Sequence, residues 1–186
     1  MLRLQNLEEI EKLLLKIPGI ILQLEENDPG FKSSARLWLL AAEQTFSNNH
    51  LSVSSEIAVI RGAVIAAERG VDVVAPTKRG TTRRYRDAAV ANLLRQATEL
   101  VANAIRPRRF QVDEAQKIMM QVVAVAHRLT LIVPDESENR TRHLQSIRQA
   151  ISDRPELANH LVHITGTLGN TDTLVMLDRV IEIIQR

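Results

Sequence analysis

Basic side chains are concentrated in one stretch of the sequence, APTKRGTTRRYRDAAV, which covers residues 75–90. Lys and Arg lie on both sides of Gly80, and two threonines precede the arginines of an expected helix start. Guanidinium groups, hydroxyls and the exposed amides of a first helical turn all bind phosphate oxygens. The stretch therefore predicts an anion-binding site formed by Lys78, Arg79, Thr81, Thr82, Arg83, Arg84 and Arg86, whose Lys and Arg residues are called here the first basic cluster.

A second basic cluster, Arg106, Arg108 and Arg109, follows at the far end of the helix expected to begin at Thr81 or Thr82. A helix rises about 1.5 Å per residue, which would separate the two clusters by roughly 30 Å. Arginines at that distance can follow the phosphate backbone of a nucleic acid. The preferred interpretation is a non-enzymatic protein that holds an anionic partner, with nucleic acid as the favoured partner.

The net charge of +2 conceals this concentration of basic residues. Residues 76–109 hold nine Lys or Arg against two Asp or Glu, whereas the segments on both sides carry more acidic than basic residues. Nineteen of the 24 cationic residues are Arg, whose planar guanidinium group suits phosphate and carboxylate. The composition thus indicates a localised electropositive surface on a nearly neutral chain.

Two other interpretations of the same arginines stay open. Arg83 and Arg86 project onto the helical stripe that continues through Val90, so this face can also enter an acidic pocket of another protein or of a homodimer partner. The chain would then be an interaction or assembly module. Alternatively, Asp87 can pair with Arg83 four residues earlier, which would leave the stretch as an ordinary solvated surface.

Metal and catalytic chemistry have weaker support. Glu156, His160 and His163 share one helical face, and two imidazoles with a carboxylate can bind a divalent metal. The inward-facing leucines lie about 90° away on that helix, which favours a solvated polar face. A small hydrolase or metal-independent ribonuclease using His160 or His163 is the third possibility. The chain has no Cys and no complete cofactor motif, so we expect neither a metal nor a cofactor.

The elements that would position these residues are helices. Apolar residues recur at helical spacing with capping residues between the segments, which predicts an all-α bundle of seven to eight helices around a central apolar helix at about 112–133. The helix from residue 82 is expected to end near Ile105, because Pro107 follows. We expect one domain over residues 1–186, or two packed helical halves, 1–70 and 82–186, joined by a basic loop at 71–81.

The apolar segments also indicate in which cellular compartment the protein resides. No uninterrupted apolar run approaches the roughly 18 residues that a membrane span needs. Three glutamates in the first apolar stretch do not suit a secretory signal. The sequence therefore predicts a soluble, cytoplasmic protein with no membrane partner.

Overall fold

The computed structural model describes residues 2–69, 83–132 and 139–185, and these ranges contain eight α-helices and no strand. The predicted all-α bundle is confirmed. The helices are α1 (Leu4–Leu14), α2 (Ile17–Glu25), α3 (Phe31–Asn48), α4 (Val53–Glu68), α5 (Arg83–Arg128), α6 (Arg140–Ser152), α7 (Pro155–Leu168) and α8 (Asn170–Gln185). In the described ranges no helix is both long and apolar enough to cross a membrane.

Apart from the first three residues, the chain divides into two compact units, Leu4–Pro107 and Arg108–Arg186, called here the first and second units. Helix α5 contributes residues to both. The loop predicted at 71–81 lies outside the described residues, so the expected division of the chain at that loop stays a prediction.

The first unit is organised around α3, which packs against α1, α2 and α4. Helix α3 begins at Phe31, after a turn in which Asp28 Oδ1 accepts a hydrogen bond of 2.7 Å from the Gly30 amide. The buried Trp38 donates its indole N–H to the Leu13 carbonyl at 2.7 Å, which ties α3 to the end of α1. Arg61 of α4 binds Glu43 of α3 with an Nε to Oε2 distance of 2.6 Å.

Helix α5 runs through Pro107, so the predicted helix end at this residue is wrong. Proline in a helix interior costs about 3 kcal/mol, because it lacks the amide hydrogen that would bond to the carbonyl four residues earlier. That carbonyl belongs to Asn103, which is exposed, so water can hydrate it. Burial continues at helical spacing on both sides of the proline, at Val101, Ile105, Arg108, Val112 and Ala115. We infer that the free energy gained by this burial outweighs the local cost of the proline, since the helix continues through it.

The second unit contains the end of α5 together with α6, α7 and α8, and the last three helices pack against one another. Pro155 lies in the first turn of α7, where a missing amide hydrogen costs little. Helix α7 ends at Leu168 because Gly169 follows with a φ of 87°, a backbone conformation that favours glycine. Arg140 at the start of α6 binds Asp178 of α8, with Nε and Oδ1 2.8 Å apart.

The predicted central helix is the C-terminal part of α5, which ends at Arg128 and not near 133. One of its faces is fully enclosed, and the buried residues on it are Val112, Ala115, Met119, Val122, Val123 and Ala126. Gln121 and Lys117 are exposed, as the thin polar stripe in the sequence suggests. Met120 and Val125 are 41% and 37% exposed, so the solvent-facing side is wider than that stripe.

Candidate functional site

The described part of the first basic cluster forms the first turn of α5. Arg83 and Arg84 are exposed and Arg86 is half-buried. The other four residues of the predicted site, Lys78, Arg79, Thr81 and Thr82, lie outside the described residues. The structure therefore locates three of the seven predicted side chains, and it places all three within one helical turn.

Arg83 connects the start of α5 to the segment between α2 and α3. One of its terminal nitrogens donates to the Asn27 carbonyl at 3.1 Å, and its Nε lies 3.7 Å from Asp87 Oδ2. The i,i+4 pair that the sequence predicts is thus present. Asp87 also binds Lys32 of α3, with Nζ and Oδ1 2.7 Å apart. Lys32 and Asn27 are distant in sequence, and no local pattern points to them.

A small cavity of about 180 Å³ opens beside these groups. It is lined by Asp28, Pro29, Phe31, Lys32, Arg83 and Asp87. Two carboxylates balance the two cations in it, so the cavity itself has little preference for an anion. Arg84, which is exposed in the same turn of α5, does not line the cavity.

The first turn of α5 has no acidic residue, although a helix N-terminus favours negative charge. Three arginines therefore lie where the helix dipole disfavours cations, by a few tenths to about 1 kcal/mol each. Asp87 is the nearest carboxylate on α5, and it already binds Lys32. A phosphate or carboxylate from a partner would remove the conflict for Arg84 and would accept hydrogen bonds from its guanidinium group.

The second basic cluster is split between surface and interior. Arg106 and Arg109 are exposed, whereas Arg108 is only 8% exposed. One terminal nitrogen of Arg108 donates to the Thr167 carbonyl at 2.8 Å, and the other lies 3.7 Å from Asp172 Oδ2. The arginine therefore bonds to the end of α7 and the first turn of α8.

Burial lowers the pKa of Arg108, and the nearby carboxylate of Asp172 opposes that shift. The guanidinium group remains charged at neutral pH, because the ordinary pKa of arginine lies far above 7. Its charge is directed into the second unit and not toward solvent. Of the second basic cluster, Arg106 and Arg109 present their side chains to solvent.

The alternative chemistry on α7 has no enclosed site. Glu156, His160 and His163 are all exposed on this helix. Within residues 2–69, 83–132 and 139–185, no group of three His, Asp or Glu side chains is arranged to hold a metal ion. The hydrolytic role considered for His160 or His163 stays a prediction.

Comparison with known proteins identifies no relative of this chain. No family model, no functionally characterised protein and no solved structure matches the chain. Function must therefore be inferred from the side chains themselves. The first turn of α5 is the strongest of the candidate sites, because it presents the exposed Arg84 and contains no acidic residue.

Proposed function

We propose that this protein is a non-enzymatic, all-α protein that binds the phosphate backbone of a nucleic acid through the first basic cluster. The observation that carries the proposal is the exposed Arg84 in the first turn of α5, a turn that contains no acidic residue. Arg83 beside it is also exposed, although it pairs with Asp87. A backbone phosphate would accept hydrogen bonds from the Arg84 guanidinium group and would be favoured by the helix dipole. Lys78, Arg79, Thr81 and Thr82 precede this turn in sequence and belong to the proposed site.

Arg106 and Arg109 supply further phosphate contacts in the proposal, whereas Arg108 serves the fold. Between Arg83 and Arg109, α5 carries seven arginines and two acidic residues. Arg83 and Arg106 are 23 positions apart, which corresponds to about 35 Å along a helix. A partner that contacts both ends of this segment must be extended and carry repeated negative charge. A nucleic acid meets both conditions.

Neutralising the exposed arginines is expected to weaken binding to every nucleic-acid sequence alike. In the double variant Arg83→Gln with Arg84→Gln, we expect at least a tenfold loss of affinity near 100 mM salt. The dependence of log affinity on log salt should also become shallower by about one unit for each phosphate that the variant no longer binds. Fluorescence anisotropy with labelled oligonucleotides, measured from about 50 to 200 mM salt, gives both quantities.

The matched control removes the same charge elsewhere. Arg142 and Arg154 are exposed in the second unit, so Arg142→Gln with Arg154→Gln changes the net charge equally. The control should bind as the wild type does. If both double variants lose affinity to the same extent, only overall charge matters and the proposed site is wrong.

The sizing behaviour of a further double variant, Arg83→Gln with Arg86→Gln, tests the assembly alternative. An interaction module that inserts Arg83 and Arg86 into an acidic pocket of a second copy would fall to half its mass when these arginines are changed. Its wild type would have no affinity for nucleic acid even at low salt. Absence of any polyanion binding by the wild type at about 50 mM salt overturns the proposed function.

A further inference from the structure

The chain leaves two of its aromatic rings exposed, and each lies beside one of the basic clusters. The sequence has five aromatic residues. Three are in the core of the first unit, where Phe31, Trp38 and Phe46 are 2%, 3% and 0% exposed. The other two are Tyr85, which is 56% exposed, and Phe110, which is 67% exposed. Both belong to α5.

Tyr85 lies in the first turn of α5, between Arg84 and Arg86. More than half of the Tyr85 side chain is exposed, so it offers aromatic surface beside guanidinium groups. Exposed aromatic rings next to arginine are the combination with which proteins bind unpaired bases and their phosphates.

Phe110 follows Arg109 and is four residues after Arg106, so it also has cationic neighbours on its helix. Its electrostatic surroundings are less positive than those of Tyr85, because Asp113 and Glu114 lie one turn later. Lys117 compensates Glu114, with Nζ and Oε1 2.7 Å apart. Asp113 remains a nearby exposed carboxylate. Phe110 is thus the weaker of the two positions for a nucleic acid.

We infer that the preferred partner is a single-stranded nucleic acid, in which an unpaired base stacks on Tyr85 while Arg84 binds an adjacent phosphate. A second base stacks on Phe110 with a smaller gain. This inference rests on the proposed function. In a duplex the faces of the bases are covered by their neighbours, and an aromatic side chain reaches them only after unstacking that costs a few kcal/mol. A single strand presents these faces without that cost. Every base has such a face, and binding is therefore tolerant of sequence.

The ring can be tested without changing the charge of the protein. Tyr85→Leu removes the aromatic face, keeps an apolar side chain that favours helix, and should weaken single-strand binding about tenfold. Duplex affinity and the salt dependence should both stay at wild-type values, since every phosphate-binding side chain is still present. Tyr85→Phe keeps the ring and should bind single strands as the wild type does. The measurement is anisotropy with single-stranded and duplex oligonucleotides of one sequence.

Further variants and substrates complete the experiment. Phe110→Leu should weaken single-strand binding by a smaller factor than Tyr85→Leu. Val162→Ala, at a position 70% exposed on α7, is the control for loss of exposed apolar surface and should have no effect. Single-stranded DNA and RNA of the same sequence should respond equally to Tyr85→Leu, because stacking does not contact the ribose hydroxyl that distinguishes them.

Failure of this inference can be distinguished from failure of the proposed function. If the wild type binds both single strands and duplex, and Tyr85→Leu affects neither or weakens both equally, the stacking inference is wrong while backbone binding stands. If Tyr85→Phe is as weak as Tyr85→Leu, the hydroxyl and not the ring is responsible, which also overturns the inference. If the wild type binds no nucleic acid at low salt, the proposed function and this inference fail together.

Discussion

Val122→Asp is expected to abolish folding of the second unit. Val122 is 2% exposed on α5, and the neighbouring Val123 and Ala126 are completely buried. An aspartate here would have to bury an unpaired carboxylate or take up a proton, and either change costs several kcal/mol. The free energy of unfolding of a domain is typically only about 5–15 kcal/mol, so a cost of this size removes much of the stability of the folded state. Circular dichroism at 222 nm should show reduced helical signal and loss of a cooperative thermal transition.

The adjacent position supplies the control for this change. Gln121 is exposed on the same helical turn, so Gln121→Asp introduces the same carboxylate in water. We expect this variant to lower the free energy of unfolding by no more than about 0.5 kcal/mol, apart from a small difference in helix propensity. Melting curves close to that of the wild type for both variants would contradict the assignment of Val122 to the core. Equal and severe loss in both would show instead that this part of α5 tolerates no carboxylate.

Local signals in the sequence mark some of the helix starts. Helices α3 and α7 start at Phe31 and Pro155, where the turn before Phe31 and the proline itself act within a few residues. The GNTD sequence likewise predicts the start of α8 at Asn170. Such features depend on backbone geometry alone, so a single sequence contains the information needed to find them.

Pro107 shows where local reasoning fails. A proline at this position favours a helix end, and the predicted boundary near Ile105 rests on that preference alone. The outcome instead depends on how much apolar surface the continued helix buries, a quantity that involves residues far along the chain. The spacing of Ile105, Arg108 and Val112 across the proline is the one signal that the helix continues. It is hard to recognise because an arginine occupies the middle position.

In the candidate site, too, the sequence predicts some features and not others. The concentration of arginine is visible in composition, and the i,i+4 spacing predicts the Arg83 and Asp87 pair. The Lys32 contact to Asp87 is not predictable, since α3 and α5 meet only in the folded first unit. For Arg108, whose hydrogen-bond acceptor Thr167 is 59 residues away, the sequence contains no indication of which helix covers it. Charge can be located from the sequence, but its burial requires the tertiary structure.

Arg108→Met is expected to be the most destabilising of the arginine substitutions. It leaves the Asp172 carboxylate, 7% exposed, without the guanidinium group that faces it, and it removes the donor to the Thr167 carbonyl. Loss of one partner from a buried ion pair costs about 3–5 kcal/mol. Chemical denaturation followed by circular dichroism should show that the free energy of unfolding falls by this amount. Arg106→Met, at an exposed position of the same cluster, should change the free energy of unfolding by less than about 1 kcal/mol.

A second substitution separates the loss of the Arg108 side chain from the cost of burying the Asp172 carboxylate without that guanidinium group. In Arg108→Met with Asp172→Leu, no buried charge remains at this position, and we expect much of the lost stability to return. Recovery should be incomplete, because Asp172 also lies in the first turn of α8, where a negative charge is favourable by about 0.3–1 kcal/mol. Arg108→Met should also leave the salt dependence of nucleic-acid binding unchanged in the folded protein, in contrast to Arg84→Gln. A shallower salt dependence in a folded Arg108 variant would instead assign Arg108 to the binding surface, against the orientation of its guanidinium group toward Thr167 and Asp172.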